Sequence, residues 1–308
     1  MECKIKYLFL VFIVPTFFSC IPRKCCPDVI SWKRGKSSPL ELKGHLVFND
    51  DHLIYVLNAS GEFERYDPDT KTWSSLPTIP HAVYSASGSI LNGAIYIFSG
   101  MDYSIQVTAA VQKYDIAQNR WFELLPMKNP RTETVAVTFN DKIYLIGGHI
   151  DEKIGNVFCT SLVEEFDPIK GTWIKKADMP TPRDSHAAVA IGNKILVAGG
   201  YTQAGETANV EEYDPVQDQW TRKADMPSPL SLFDLISIQN TIYLLGGEYY
   251  NHYKESPILK YDVNADQWTQ VSVLPKGKYQ FGITVADDRI YLIGGHWNAR
   301  SVLIGKRG

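Results

Sequence analysis

The chain has 308 residues, of which 44% are hydrophobic and 21% are charged, a balance typical of a folded globular protein rather than a disordered one. Lys and Arg number 31 against 34 Asp and Glu, so the net charge of −3 offers no basic surface for nucleic acid. The composition also excludes a coiled coil, a collagen-like chain and a membrane protein with many spans. By itself it indicates no activity.

The first element in chain order is a targeting segment. An apolar stretch of twelve residues, Tyr7 to Phe18, follows two lysines, and its length suits a signal peptide better than a membrane span. Ser19-Cys20 resembles the cleavage site of bacterial lipoproteins, which predicts lipidation of Cys20; the alternative is simple secretory cleavage near residue 20. We therefore expect export to the periplasm, to the outer membrane as a lipoprotein, or out of the cell. The expected organisation is a signal peptide at 1–19, a tether at 20–28 and a folded domain at 29–308.

Cysteine usage excludes a large disulfide framework. Removal of the signal peptide leaves only Cys20, Cys25, Cys26 and Cys159. Cys25 and Cys26 have no His or further Cys at ligand spacing, so they do not indicate a metal site. We expect neither a metal nor a cofactor.

From residue 32 onward the sequence repeats. Six tryptophans recur at gaps of 41 to 52 residues, and the last five each follow an aromatic-Asp pair with a spacing of seven residues between the aromatic residue and the Trp. The tryptophans are Trp32, Trp73, Trp121, Trp173, Trp220 and Trp268, and the pairs are Tyr66-Asp67, Tyr114-Asp115, Phe166-Asp167, Tyr213-Asp214 and Tyr261-Asp262. A third feature is an apolar run that ends in two glycines. The complete pairs are Gly147-Gly148, Gly199-Gly200, Gly246-Gly247 and Gly294-Gly295, with a weakened copy at Ser99-Gly100 and a lost one at Asn58-Ala59.

Each repeat unit predicts four antiparallel strands. The Ile-Tyr-Leu-Ile type runs are rich in β-branched and aromatic residues, which indicates strands buried on both faces. The glycine pair permits positive φ where that strand ends, and the aromatic-Asp pair closes the next strand and opens a turn. One such unit cannot bury both of its faces alone, so neighbouring units must stack.

The double glycine and the seven-residue Tyr-to-Trp spacing resemble Kelch repeats, and the resemblance covers residues 29–308. Trp32 has no glycine pair before it, and the last pair has no Trp after it. A strand around residues 29–33 is therefore expected to complete the last blade, whose other strands come from residues 279–305. The predicted fold is all-β: one six-bladed Kelch β-propeller closed by pairing an N-terminal strand with the C-terminal blade. Five blades with two disordered ends is the alternative.

Two sets of repeat positions are expected to converge on one face, around the mouth of the central channel. The first set lies seventeen residues before the second Gly of each pair and comprises Leu42, Val83, Arg131, Arg183, Leu230 and Lys278. The second set directly follows the pair and comprises Ser60, Met101, His149, Tyr201, Glu248 and His296. Trp297 stands outside the repeat, so the fold does not require it. The predicted ligand-binding residues are Arg131, Arg183, Lys278, His149, Tyr201, Glu248, His296 and Trp297.

The three cations of the first set suit a ligand with an acidic group. In Kelch domains of ubiquitin-ligase adaptors, arginines at this kind of position can bind acidic peptides; the alternative is that they make local hydrogen bonds. The second set, with Tyr103 nearby, supplies aromatic and polar groups, which suit a sugar, a peptide or a protein loop, or simply pack on each other. His45 and His186 lie three residues after first-set positions, where lining the channel is the alternative to a catalytic role.

The sequence contains no complete catalytic motif: Gly-x-Ser-x-Gly, His-Glu-x-x-His, the P-loop and the Rossmann glycines are all missing. The predicted function is an exported binding module for a protein or glycan ligand, with no nucleic acid and with membrane contact only through a lipid anchor. The alternative is a periplasmic mutarotase or epimerase acting on an anionic sugar. In architecture the chain is similar to sialic-acid mutarotases, which would assign acid–base chemistry to Glu248 or a channel His and carboxylate binding to Arg183.

Overall fold

The structure is a computed structural model that describes residues 30–42, 44–152, 156–248, 256–274, 280–295 and 298–307. These described residues form 28 strands and no helix. Accordingly, no helix long and apolar enough to cross a membrane occurs in the described part of the chain. The first strand, β1, is Ile30–Arg34, and the 28 strands together build six four-stranded antiparallel sheets, the blades, and two small hairpins.

The first three blades follow in chain order. Blade 1 consists of β2 (Leu46–Asp50), β3 (Leu53–Leu57), β4 (Phe63–Asp67) and β5 (Thr72–Leu76). Blade 2 consists of β6 (Ser87–Leu91), β7 (Ala94–Phe98), β8 (Val111–Asp115) and β9 (Arg120–Glu123). Blade 3 begins with β10 (Val135–Phe139) and β11 (Lys142–Ile146), continues through a separate hairpin of β12 (His149–Glu152) and β13 (Asn156–Cys159), and ends with β14 (Val163–Asp167) and β15 (Thr172–Lys175).

The last three blades repeat this pattern. Blade 4 has β16 (Ala187–Ile191) and β17 (Lys194–Ala198), then a short hairpin of β18 (Tyr201–Thr202) and β19 (Gly205–Glu206), then β20 (Val210–Asp214) and β21 (Gln219–Lys223). Blade 5 consists of β22 (Ser231–Ile238), β23 (Thr241–Glu248), β24 (Pro257–Asp262) and β25 (Gln267–Val273). Blade 6 consists of β26 (Phe281–Ala286), β27 (Arg289–Gly294), β28 (Val302–Arg307) and β1.

The seven-residue spacing between aromatic residue and tryptophan sets the register of each outer hairpin. In blade 4, Tyr213 lies directly opposite Trp220 across β20 and β21, with ring centroids 4.9 Å apart. The equivalent ring pairs of blades 1, 2, 3 and 5 lie 4.6 to 5.2 Å apart. The Trp220 indole N–H also donates to the Ala177 carbonyl (3.0 Å) in the connection that leaves blade 3. This tryptophan therefore packs within its own hairpin and also bonds to the connection from the neighbouring blade.

The N-terminal strand is the outermost strand of blade 6. β1 pairs antiparallel with β28, and Trp32 lies opposite Gly305. A Cβ atom on Gly305 would lie 2.9 Å from the Trp32 ring, so the glycine makes room for the indole. The strand expected around residues 29–33 is displaced by one residue, because it spans Ile30–Arg34.

Six apolar clusters form the core, one at each interface between neighbouring blades. At the interface of blades 6 and 1, Tyr291 and Ile293 of β27 pack with Ile54 of β3 and Tyr66 of β4. Every blade thus buries both faces against neighbours, as the long apolar strands require. The predicted six-bladed, all-β propeller is confirmed.

Candidate functional site

The described members of the two predicted sets lie side by side on one end of the propeller, here called the loop face. It carries the loops that follow the glycine pairs and the connections that enter the innermost strands. Isolated antiparallel bridges pair Thr132 with His149 and Asp184 with Tyr201. Thr132 and Asp184 directly follow the two arginines of the first set. The backbone therefore joins the first set to the second in blades 3 and 4.

The Arg131 side chain turns into blade 3 and is fully buried, with 0% of its surface exposed. Its Nε donates to the Gly147 carbonyl (2.8 Å) and its Nη2 to the Leu145 carbonyl (3.1 Å). Its Nη1 donates to the Asn129 carbonyl (3.0 Å) and to the Glu164 carboxylate (2.5 Å). The guanidinium therefore ties the entry of the blade to its second and third strands, which is a structural task.

Arg183 repeats this arrangement in blade 4 and is likewise 0% exposed. Its Nη1 donates to the carbonyls of Gly199 (3.1 Å) and Asn209 (2.9 Å), and its Nε donates to the Thr181 carbonyl (3.2 Å). Its Nη2 forms an ion pair with the Glu211 carboxylate. Burial lowers the pKa of Arg183, and the Glu211 charge opposes that shift, so the pair remains an ion pair in the interior.

These contacts correct the expected role of the two arginines. Neither guanidinium reaches the loop face, so neither can hold a ligand carboxylate there, and the local-bonding alternative accounts for both. The carboxylate clamp that a sugar mutarotase would require of Arg183 is therefore not formed. Several other predicted site groups lie outside the described residues, namely Cys20, Lys278, His296, Trp297 and the side chain of Glu248.

His149 and Tyr201 meet at a polar cluster where the hairpin of blade 3 leans on the loop of blade 4. The Asp184 carboxylate lies 3.4 Å from His149 Nδ1 and accepts the Cys159 S–H at 3.2 Å. The Cys159 S–H is also within 3.4 Å of the Tyr201 carbonyl. Burial, and then the Asp184 carboxylate, raise the pKa of Cys159 to about 12, so the thiol is protonated at neutral pH and is not an activated nucleophile. The cluster fixes the shape of the loop face.

The loop face also exposes large apolar side chains. Tyr103 is 71% exposed and Ile105 68% exposed in the loop of blade 2, and Phe158 of β13 and Tyr201 of β18 are also exposed. Tyr103 and Tyr201 are evident as loop aromatics in the sequence. Ile105 and Phe158 are not, because nothing in the repeat shows whether an apolar residue of an insertion faces inward or outward.

The central channel opens at the loop face through two overlapping cavities of about 250 Å³ each. Their described lining contains two carboxylic acids, Glu133 and Asp234, and neither Lys nor Arg. Glu133 accepts the Ser185 hydroxyl (2.5 Å). Burial raises the pKa of Asp234 from 3.8 to about 7. Asp234 is therefore an unusual group that the sequence analysis missed, although a lone Asp in the apolar run of β22 was a usable signal.

A ring of residues with left-handed backbone conformation surrounds the channel mouth, one at or just before the start of each innermost strand. The six residues have φ between 48° and 58° and are Gly44, Ser85, Glu133, Ser185, Leu232 and Gln280. Five of them are not glycine, and the left-handed backbone conformation costs each of these five residues on the order of 1 kcal/mol of conformational free energy. Hydrogen bonds between neighbouring blades hold part of the ring, because the N–H of Glu133 donates to the Ser85 carbonyl (3.0 Å) and that of Leu232 to the Ser185 carbonyl (3.2 Å).

One group of three potential metal ligands has all its atoms within 4.8 Å of one another in the part of the chain that the structure describes: His52, Asp67 and Asp69. It lies in the turns of blade 1 at the end opposite the loop face. Asp67 accepts the backbone N–H groups of Asp69 (2.8 Å) and Thr70 (3.1 Å). Asp167 and Asp214 make the same turn contacts in blades 3 and 4, so we assign this carboxylate a structural role and no metal.

The described sheets and their packing define a six-bladed β-propeller with several exposed apolar side chains on its loop face and two carboxylic acids in the described channel lining. A family model described as the KLHDC2/KLHL20/DRC7 Kelch-repeats domain matches residues 158–295, and a Kelch motif model matches residues 130–180. The chain is a Kelch-repeat protein.

Several curated proteins are similar to the chain at low identity. Kelch-like protein 38 of Rattus norvegicus is 26% identical over 176 residues, which cover 55% of the chain and 29% of that protein. Beta-scruin of Limulus polyphemus is 28% identical over 186 residues, which cover 56% of the chain and 20% of that protein. Kelch-like protein 35 of Mus musculus is 29% identical over 146 residues, which cover 47% of the chain and 24% of that protein. The matched segments thus span less than a third of each of these relatives.

Proposed function

We propose that the chain is a protein-binding module whose partner docks on the loop face of blades 2, 3 and 4. The observation that carries this proposal is the group of exposed apolar side chains there, Tyr103, Ile105, Phe158 and Tyr201. They stand on loops and inserted hairpins that the propeller core does not need, because the six blade interfaces already supply the core. Exposed apolar residues that share one face of a fold and are not needed by its core are typical of protein interaction sites.

The polar cluster that joins the loops of blades 3 and 4 supports a docking role. Because Asp184 contacts both His149 and Cys159, the hairpin of blade 3 is held against the loop of blade 4 before any partner arrives. A surface that is already ordered loses less conformational entropy on binding, which favours affinity.

The charge of the loop face favours a partner segment that is basic rather than acidic. In the sequence, the loops that follow the glycine positions of blades 1 to 4 contain five acidic residues and one cation, Lys153. The acidic residues are Glu62, Asp102, Asp151, Glu152 and Glu206. Together with the burial of Arg131 and Arg183, this distribution replaces the expected acidic ligand with an apolar segment that carries positive charge. Complementary charge of this kind mainly accelerates association and selects the partner.

The experiment compares capture of partners by two matched variants of the full chain. In one, Ile105 and Phe158 of the loop face become Asp. In the other, Ile169 and Val216 become Asp; these residues are at least as exposed, but they lie in turns at the opposite end. We expect proteins captured by the wild type to be retained by the second variant and lost from the first. Equal retention by both variants, or loss from the second alone, would contradict the proposal.

We further propose that the chain is exported, with residues 1–19 removed and Cys20 carrying a lipid. This proposal rests on the sequence of residues 1–20, which lies outside the described residues. Mass spectrometry of the mature protein from its natural host should find an N-terminus at residue 20 bearing the mass of a diacylglyceryl group. An unmodified N-terminus near residue 20 would support secretion without lipidation, and an intact Met1 in the soluble cell fraction would contradict export.

A further inference from the structure

The loop of blade 2 holds an isoleucine in a backbone conformation that isoleucine disfavours. Ile105 has a φ of +60°, and among the described non-glycine residues with positive φ it is the only β-branched one. A branched Cβ crowds the backbone in this left-handed region, so such residues are rare there. The Ile105 side chain is also 68% exposed, so core packing does not explain its presence. Strain of this kind is concentrated at functional sites.

The hydrogen bonds of the loop show that glycine would suit this position better. The Ile105 N–H donates to the Asp102 carbonyl (3.0 Å), and the Asp102 N–H donates to the Gln106 carbonyl (3.0 Å). These two bonds close a three-residue hairpin loop whose last residue is left-handed, and glycine is the usual residue at that place. The chain therefore has a less stable turn with Ile105 than it would have with glycine.

Further contacts hold this loop in one conformation. The Asp102 carboxylate accepts the backbone N–H groups of Ser104 (2.8 Å) and Gln106 (3.0 Å). The Tyr103 hydroxyl donates to the Ala59 carbonyl (3.3 Å) in the loop of blade 1. The loop is thus fixed both internally and to the neighbouring blade. Because Ile105 is ordered before a partner arrives, less conformational entropy is lost when it is buried in a complex.

The exposure and charge of the loop indicate the kind of surface that would receive Ile105. A side chain that is 68% exposed protrudes, and only a concave surface of the partner can bury it. A concave apolar surface is a property of a folded domain rather than of an extended peptide. Asp102 and the exposed Glu62 of the blade 1 loop add negative charge to these two loops, which favours cations around the receiving pocket.

We propose that Ile105 is the anchor residue of the docking surface and that it inserts into an apolar pocket, rimmed by Lys or Arg, on a folded protein partner. Binding energy at an interface is concentrated in a few side chains that fill such pockets. This proposal rests on the proposed docking role of the loop face, to which it adds the anchor residue and the shape of the partner surface.

The first experiment identifies the partner by photo-crosslinking in the natural host. The full chain carries p-benzoylphenylalanine in place of Tyr103, Phe158 or Ile169. The first two residues are exposed on the loop face, and the third is exposed in a turn at the opposite end. We expect positions 103 and 158 to crosslink to one and the same protein and position 169 to crosslink to none. Crosslinks from neither loop-face position would contradict both the docking role and the anchor role.

The second experiment measures the affinity of that purified protein for two matched variants. Ile105→Asn removes the apolar side chain, and asparagine tolerates the left-handed backbone. The control is Lys71→Asn, because Lys71 is also exposed and left-handed (φ +56°) but lies in a turn of blade 1 at the opposite end. We expect the affinity to fall about tenfold or more in Ile105→Asn and to stay unchanged in Lys71→Asn. Unchanged affinity in Ile105→Asn would overturn the anchor role alone and leave the docking surface in place.

Two further measurements test the strain and the pocket. Ile105→Asn should melt at or above the wild-type temperature, since the strain at residue 105 is relieved. A lower melting temperature would mean that Ile105 supports the fold, and it would overturn the proposal. A synthetic peptide with the sequence of the crosslinked partner segment should bind the wild-type chain at least about tenfold more weakly than the folded partner does. Equal binding of the peptide would assign the site to an extended segment and overturn the pocket.

Discussion

The guanidinium of Arg183 donates to the carboxylate of Glu211 inside blade 4, where the arginine side chain is 0% and the glutamate side chain 2% exposed. Blade 5 has Leu230 and Leu259 at the corresponding positions, and both belong to the cluster between blades 4 and 5. In blades 4 and 5 the same place in the fold is thus filled by a buried ion pair and by two apolar side chains, respectively. Blade 5 shows that the charges are not an absolute requirement of the architecture.

This comparison predicts strong non-additivity at the pair. Arg183→Leu alone leaves the buried Glu211 carboxylate with only the Thr181 hydroxyl (2.6 Å) and the more distant Arg222 (3.9 Å), and it should lower the free energy of unfolding by about 3–5 kcal/mol. The double variant Arg183→Leu, Glu211→Leu should recover most of that loss, because no isolated charge remains. Chemical denaturation of the wild type, both single variants and the double variant measures the coupling. Additive losses would mean that the pair is not the main source of the effect.

Replacement of one left-handed glycine should be far more damaging than that of another. A Cβ on Gly199 (φ +61°) would lie 2.6 Å from the Leu230 carbonyl oxygen and 2.6 Å from the Phe233 ring, whereas one on Gly171 (φ +64°) would meet nothing within 4 Å. Gly171→Ala should therefore lower the free energy of unfolding only by the cost of a left-handed backbone at alanine, about 1–2 kcal/mol. Gly199→Ala adds overpacking and should cost about 2–5 kcal/mol. Similar melting temperatures for both variants would contradict this prediction.

The strand β1 should contribute to the stability of the whole ring. Trp32 packs against the apolar cluster between blades 5 and 6, so Trp32→Ala should lower the free energy of unfolding by about 2–4 kcal/mol. Lys33 is the exposed neighbour on the other face of the strand, and Lys33→Ala should change stability by less than about 0.5 kcal/mol. Thermal melts followed by circular dichroism distinguish the two. If Trp32→Ala melts like the wild type, β1 adds little to the ring.

Asp234 should make stability depend on pH in a direction unusual for a carboxylic acid. Its folded pKa of about 7 exceeds 3.8, so the stability it contributes is complete below about pH 4 and is lost as the pH rises to 7. The stability of Asp234→Asn lacks this pH dependence. As the pH rises from 4 to 8, the free energy of unfolding of this variant should therefore increase relative to that of the wild type by a total on the order of 2–4 kcal/mol. Urea denaturation at several pH values measures the difference.

The other titratable groups around Asp234 provide the control for this pH dependence. His45, Glu133 and His186 line the same cavity as Asp234. His186, with its pKa near 3, stays neutral over most of the range. Glu133→Gln should keep the wild-type slope between pH 4 and 8. If this variant loses the slope instead, Glu133 and not Asp234 is the group that titrates.

The sequence was sufficient to predict the blades because the spacing of the repeated residues determines how neighbouring strands pair. A seven-residue spacing across a short hairpin allows one register, and in that register Tyr213 faces Trp220. Arg183 was different, since its repeat position located the backbone at the loop face but not the direction of a long side chain. A partial signal existed: blades 3 and 4, which have the arginines, also have Glu164 and Glu211, but blade 1 has Glu64 at the same position without an arginine.

The channel and the docking surface were harder to predict for a physical reason. The pKa of Asp234 is raised only when strands from several blades surround the carboxyl group, and no local sequence pattern encodes that environment. Likewise, the exposure of Ile105 and Phe158 depends on how two insertions lie on the finished ring. Local sequence describes each blade, and these sites arise from the assembly of blades.

The pairing of β1 with β28 has a consequence for the order of events during synthesis. Ile30 lies opposite Arg307, so the earliest described strand finds its partner only when the last residues of the propeller have been made. Until then the face of blade 1 that Tyr291 and Ile293 will cover stays open to solvent. A chain still attached to the ribosome or only partly translocated therefore exposes this apolar face of blade 1 to solvent, where it can aggregate, during most of its synthesis. A chaperone that covers the face would have its greatest effect just before the final blade is made.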